Sequence, residues 1–130
     1  MEYIKSFKDL EVYKISRQLS IDIFEISKSF PKEEKYSLTD QIRRSSRSIG
    51  AQIAEAWGKR KYEKHFISKL TDADGEQLET QHWIETAIDC SYVSNEISDD
   101  LLLKNKTIGK MIHSMIQKAP SFCSRKTGQP

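Results

Sequence analysis

The sequence predicts an all-α protein, an antiparallel up-down-up-down four-helix bundle, on three observations. Apolar residues recur at steps of three or four along four long segments, which is the spacing of one stripe on an α-helix. No run alternates apolar and polar residues as a half-buried strand would, and only three prolines and five glycines occur. With 130 residues, the chain can bury one core without metal or disulfide support. We expect residues 1–119 to form the bundle domain and residues 120–130 a disordered basic tail.

The first helix is predicted from about Asp9, its N-cap, to about Phe30. Pro31 ends it, because the residue before a proline is pushed out of the helical region. The connection that follows is short and charged, so the first two helices should be antiparallel neighbours. The stripe of this helix is Val12, Ile15, Leu19, Ile23 and Ile26.

The second helix is predicted over residues 37–61 and combines a buried stripe with a cationic flank. Ser37 can be its N-cap, with Asp40 three residues later as in a capping box. Gly58 stands where a helix stop belongs. The stripe is Leu38, Ile42, Ile49, Ile53 and Trp57, and the flank is Arg43, Arg44 and Arg47.

Two further helices complete the predicted bundle. The third should run from about Tyr62 to about Tyr92, and its apolar residues lie on two edges, which is typical of a helix with more than one neighbour. The fourth should follow Ser94 or Asn95 as its cap and end before Pro120. Its stripe is Ile97, Leu101, Ile108, Ile112 and Met115.

The net charge of +2 conceals blocks of opposite sign. Residues 41–69 sum to +6, residues 70–103 to −9, and residues 104–130 to +6. Such segregation indicates that the folded protein presents surfaces of opposite charge.

Few residues have the spacing that catalysis or metal binding needs. Di-iron bundles use a Glu-x-x-His pair from each of two helices, and only Glu79 with His82 forms such a pair here. No residue has the context of an activated nucleophile, and no glycine-rich phosphate loop occurs. We therefore expect no catalytic residue, no metal, no cofactor and no enzymatic activity, and we interpret Glu79 and His82 as a polar pair.

The chain shows no signal for export or membrane insertion. Charged residues interrupt the first ten positions, and no apolar run approaches the roughly 20 residues of a membrane span. Cys90 and Cys123 lack metal-ligand spacing and are best interpreted as thiols in a reducing compartment. We expect a soluble cytoplasmic protein with no membrane partner.

The basic residues of positions 41–69 are the candidate functional site. They could form a solvated face, or they could bind the phosphate backbone of RNA or DNA, for which the planar fork of arginine is suited. The arginines could also pair with the acids of residues 70–103, within one chain or across a subunit boundary. No known sequence-reading motif is present, so binding would depend on shape and charge. The candidate residues are Arg43, Arg44, Arg47, Lys59, Arg60, Lys61 and Lys64.

A series of motifs occurs in order over about residues 7–115. They are Phe7-x-Asp9-Leu10-x-Val12-Tyr13, Phe30-Pro31-Lys32-Glu33-Glu34, Leu38-Thr39-x-Gln41-Ile42-Arg43-Arg44, Ser48-Ile49 and Ile53-Ala54-Glu55, followed by Phe66, Leu70, Ala73, Gly75 and Glu79 to Gln81. Together they resemble the four-helix-bundle proteins encoded in intervening sequences of bacterial 23S rRNA genes. One departure is that Asp74 and Glu76 stand beside Gly75, where the family often has a basic residue and a serine.

The resemblance implies a non-catalytic bacterial protein that self-associates. Relatives of this family include the accessory variability determinant of diversity-generating retroelements, which forms a homopentameric barrel, binds nucleic acid and associates with a reverse transcriptase. A ring of five is therefore implied, with RNA, DNA or a nucleic-acid-handling protein such as a reverse transcriptase as partner. The alternative is a self-assembling scaffold or protein-interaction module with no nucleic-acid role.

Overall fold

The protein is all-α, as predicted. In the computed structural model, which describes residues 4–123, every regular element is helical. None of the helices in this part of the chain is long and apolar enough to cross a membrane. The long helices are α1 (Glu11–Ser27), α2 (Asp40–Gly58), α3 (Glu63–Asp89) and α4 (Asn95–Gln117), and a short helix, α5 (Ala119–Phe122), follows them.

The apolar stripes of the four long helices form one core. Helix α2 packs on α1 and α3, and α4 packs on the same two helices. One stripe residue was assigned wrongly, since Ile97 is 41% exposed. The polar residues Ser98 and Asn105 are buried in that helix instead. The large, fully buried apolar side chains are Leu19 and Ile23 of α1, Ile42, Ile49 and Ile53 of α2, Phe66, Leu70 and Ile84 of α3, and Ile108 and Ile112 of α4.

Helix α1 is shorter at both ends than predicted. Asp9 is not its N-cap, because a separate 3-10 turn, Phe7–Asp9, precedes it and is capped by Ser6. The Asp9 carboxylate accepts hydrogen bonds from the backbone N–H groups of Lys5 and Ser6, which lower its pKa. At the other end the helix stops at Ser27, because the next three N–H groups bond to carbonyls three residues back rather than four.

The start of α2 also differs from the predicted one. Ser37 lies inside a π-helical turn, Lys35–Thr39, and the residue that caps this turn is Glu34. Its carboxylate accepts hydrogen bonds from Ser37 Oγ at 2.7 Å and from the backbone N–H of Leu38 at 3.4 Å. It also accepts one from the Tyr92 hydroxyl at 2.8 Å, and this bond raises the pKa of Tyr92 to about 12. A carboxylate can accept hydrogen bonds from three donors at once, so Glu34 caps this turn in place of the predicted Ser37.

The fourth helix has the predicted limits. Ser94 is its N-cap, with Oγ accepting from the Ile97 N–H at 3.2 Å, and the helix ends before Pro120. A short helix, α5, follows it, and the Phe122 ring of that helix lies 5.8 Å from the ring of Phe66. Cys123 is also buried. The rest of the segment predicted to be disordered, residues 124–130, lies outside the described residues.

Candidate nucleic-acid interface

The seven candidate cations fall into three places on the structure. Residues four apart on a helix share a face, whereas neighbours in sequence are about 100° apart. Arg43 and Arg47 therefore lie together on the side of α2 near α1, and Arg44 lies on the side near α3. The remaining four, Lys59, Arg60, Lys61 and Lys64, lie at the junction of α2 and α3.

Arg44 is engaged by two acids of α3. Its guanidinium pairs with Glu76 at 3.4 Å and with Glu79, whose carboxylate also accepts from Trp83 Nε1 at 3.0 Å. The hydrogen bonds from Arg44 and then Trp83 lower the pKa of Glu79, and the bond to Glu79 raises the pKa of Arg44. Within one chain, Arg44 thus has the acid-pairing role that the charge pattern allowed.

The other two arginines of α2 gather around one aromatic ring of α1. The guanidinium carbon of Arg43 lies 4.7 Å from the centre of the Phe24 ring, and that of Arg47 lies 5.4 Å from it. Lys28 Nζ is 4.9 Å from the same centre. Arg43 also donates from Nε to Ser27 Oγ at 2.7 Å. We call Lys28, Arg43, Arg47 and Arg17 the Phe24 cluster.

The Phe24 cluster borders an open groove between α1 and α2. The groove has a volume of about 340 Å³ and is lined by Arg17, Ser20, Ile21, Phe24 and Arg47. Lys28 pairs with Glu25 at 3.2 Å. Among the described residues, the three arginines have no carboxylate within 4 Å, so their charge is available to an anion.

The sequence analysis missed Arg17, Phe24 and Lys28. A signal was present, because Arg17, Ser20, Phe24 and Lys28 recur at steps of three or four on the first helix, off its apolar stripe. That spacing places them on one face, and Arg43 and Arg47 complete that face from α2. This face could be recognised only by considering the basic residues of α1 and α2 together.

The α2–α3 junction carries cations beside aromatic rings. The Arg60 guanidinium lies 3.6 Å from the centre of the Trp57 ring and donates from Nε to the Trp57 carbonyl at 2.8 Å. Lys61 Nζ is 5.8 Å from the Tyr62 ring centre. Lys59, Lys61 and Lys64 are exposed. We call Lys59, Arg60, Lys61 and Lys64 the junction cluster.

Glu55, the acid that precedes the junction cluster, pairs with a lysine of α3. Glu55 bonds to Lys69 at 2.9 Å, and Lys69 also lies 3.9 Å from Asp72. The hydrogen bond from Lys69 is the main cause of the lowered pKa of Glu55, and Lys59 contributes through its charge. Lys59, Lys61 and Lys64 are exposed to solvent and so are accessible to an external anion.

The Glu-x-x-His pair of α3 has other partners in the structure. Glu79 holds Arg44 and Trp83, while the His82 ring packs edge-on against Trp83 at 4.7 Å between ring centres. Within residues 4–123 there is no group of three or more His, Cys, Asp or Glu side chains that could hold a metal ion. His113 lies away from this pair, and its Nε2 is 3.0 Å from Asp74 Oδ2.

Comparison with known proteins identifies relatives of most of the helical region. The family model described as 23S rRNA-intervening sequence protein matches residues 8–114. A crystal structure of a protein from Bacteroides thetaiotaomicron VPI-5482, described as having unknown function and as belonging to the S23 ribosomal protein family, has 32% sequence identity and a TM-score of 0.74. The match covers 81% of this chain and 97% of that one. No functionally curated protein matches the sequence.

Proposed function

The chain belongs to the family of 23S rRNA-intervening sequence proteins, and from this premise we propose that it is a non-catalytic, cytoplasmic nucleic-acid-binding protein that acts as a homo-oligomer. It binds RNA or DNA through the Phe24 cluster and the junction cluster. Both clusters consist of cations held beside aromatic rings, and this chemistry suits the binding of anions. Binding then requires charge and shape and no base-reading motif.

The observation that carries this proposal is the gathering of cations in two places, where Arg17, Arg43 and Arg47 have no carboxylate within 4 Å among the described residues. Like charges at close range repel each other, so a folded protein keeps such a group where an external anion or solvent balances it. The phosphate backbone offers such anions at regular spacing, and guanidinium groups bind phosphate oxygens in pairs. Arg44, in contrast, is already balanced by Glu76 and Glu79 and is not part of the proposed surface.

We also propose the antiparallel up-down-up-down arrangement of the four long helices. Contacts between α2 and α3 support it: Ser45 Oγ accepts from Thr80 Oγ1 at 2.9 Å, and Gln52 accepts from Lys69 at 3.4 Å. Residue numbers that rise along α2 thus fall along α3. In this arrangement the Phe24 cluster lies on the outer side of the α1–α2 pair.

The test of nucleic-acid binding is its dependence on salt. The affinity for a mixed-sequence RNA or DNA, measured by fluorescence anisotropy between about 50 and 200 mM NaCl, should fall linearly on logarithmic axes. The expected slope is about −0.7 to −0.9 per phosphate neutralised, because each contact releases condensed counterions. Absence of binding to either polymer at about 50 mM salt would refute the proposal and leave the scaffold alternative.

The self-association that we propose has its own support and test. Leu78 and Leu103 are 56% and 64% exposed, and apolar surface of this kind is typical of protein contacts. A groove lined by Leu78, Leu102 and His113, among others, lies between α3 and α4. Multi-angle light scattering should return a mass near five times 15.1 kDa, in agreement with the ring of five that the resemblance implies. A mass of one chain at micromolar concentration would contradict it.

A further inference from the structure

Tyr62 is an exposed aromatic residue on a fixed backbone. Its side chain is 57% exposed, although it directly precedes α3. Its N–H donates to the Lys59 carbonyl at 3.1 Å, and its own carbonyl accepts from the Phe66 N–H at 3.0 Å. Phe66 is fully buried, so the backbone that carries Tyr62 is anchored to the core. The ring is therefore presented to solvent from a fixed backbone, so little backbone entropy is left to lose on binding.

The surroundings of Tyr62 combine cations with a second ring. Lys61 Nζ lies 5.8 Å from the centre of the Tyr62 ring, and the His65 ring lies 5.4 Å from it, tilted by 59°. Lys59 and Lys64 are exposed nearby in the chain. Glu63 is the acidic residue of this segment. An exposed ring flanked by phosphate-binding charges is the combination by which proteins hold unpaired nucleotides.

We propose that Tyr62 stacks on a base of single-stranded RNA or DNA while the junction cluster holds the phosphates on either side. This inference rests on the proposed function and deepens it, because it names the form of nucleic acid that binds at this site. In a duplex the faces of the bases are already covered by their neighbours, so Tyr62 can add affinity only for unpaired bases. The junction cluster alone would not distinguish the two forms, because both present phosphates.

The experiment compares a labelled strand of about 20 nucleotides, as RNA and as DNA, with the duplexes formed by the same strands. The protein is the full chain, as wild type, Tyr62→Leu, Tyr62→Phe and Tyr36→Leu. Tyr36 is the matched control, because it is 80% exposed and lies near Lys35 but belongs to the connection before α2, in which two lysines are balanced by two glutamates. Light scattering and thermal melting establish that all four proteins have the same assembly and fold.

We expect Tyr62→Leu to weaken binding of the single strand about 5- to 100-fold, because one base–aromatic stack is lost. Tyr62→Phe and Tyr36→Leu should stay within about twofold of wild type, and the affinity of every variant for the duplex should be unchanged. The salt slope should also be unchanged, because no phosphate contact is removed.

Two results would overturn the inference while the proposed function stands. In the first, Tyr62→Leu binds the single strand as tightly as the wild type does. In the second, Tyr62→Leu loses the same factor of affinity for the single strand and for the duplex. A wild-type protein that binds neither form refutes both proposals. The failure of this inference and the failure of the proposed function are thus distinguishable. Only when the proposed function fails does the wild-type protein bind no nucleic acid.

Discussion

Replacing Lys59, Arg60 and Lys61 together by glutamine is expected to weaken nucleic-acid binding by about 100-fold or more at about 50 mM salt. Each phosphate contact contributes through counterion release, so the loss of three contacts should also reduce the salt slope by about 2 to 3. In an oligomer the loss recurs on every subunit, which enlarges it through avidity. Fluorescence anisotropy at several salt concentrations measures both quantities.

The matched control replaces Lys8, Lys32 and Lys118 by glutamine, because these lysines lie outside both clusters and outside the groove between α3 and α4. These lysines are exposed, and both triple variants lower the formal net charge from +2 to −1. The control should keep its affinity within a few-fold, because only the location of the charge differs. Equal losses in the two variants would show that total charge, and not the junction cluster, governs binding.

The stability of the junction variant should change little. Exposed charges contribute about 0–1 kcal/mol to the free energy of unfolding. Arg60 is the exception, because it also stacks on Trp57 and bonds to the Trp57 carbonyl, a contact worth about 0.5–1 kcal/mol. A small lowering of the melting temperature is therefore expected, and loss of binding can be separated from loss of folding.

The apolar stripes could be predicted from the sequence because helical periodicity is a local property. Ile97 shows where this reasoning fails. The buried line of α4 runs through Ser98, Leu101, Asn105 and Ile108, at steps of three and four. Two of these residues are polar, and Asn105 Nδ2 bonds to the Gln77 carbonyl at 3.1 Å. Hydropathy alone selected Ile97, because a polar side chain that bonds to another helix, as Asn105 does, cannot be recognised from its own segment.

The candidate site was predictable in part, for a related reason. The cations of α2 were evident from the sequence. Which neighbouring helix each of them faces was not evident, because Arg43 and Arg44 are adjacent in sequence and face different helices. The partners of Arg44 lie 32 and 35 residues away, on α3. Glu34 likewise caps the entry to α2 and reaches Tyr92, which is 58 residues distant. Such pairings follow from how helices pack, and helical periodicity does not specify them.

Replacing Phe66 by alanine should lower the free energy of unfolding by about 3–5 kcal/mol, the usual cost of truncating a buried aromatic side chain. Phe66 is fully buried in the first turn of α3, four residues after Tyr62, which is the N-cap of that helix. A loss of this size is a large part of the roughly 5–15 kcal/mol that stabilises a typical domain. Urea denaturation followed by circular dichroism measures it, at one protein concentration, because self-association contributes to apparent stability.

Phe122→Ala is the matched control for this prediction. Phe122 is only partly buried and faces the Phe66 ring from α5, so its truncation opens a smaller cavity and should cost about 1–2 kcal/mol. A loss below about 1 kcal/mol for Phe66→Ala would contradict the central position of this ring in the core. Equal losses for the two variants would instead mean that the contact between the rings, and not burial of Phe66 in the core, stabilises this end of the protein. Both variants keep the backbone N–H of residue 66 that donates to the Tyr62 carbonyl, so neither should change single-strand binding as long as the protein is folded.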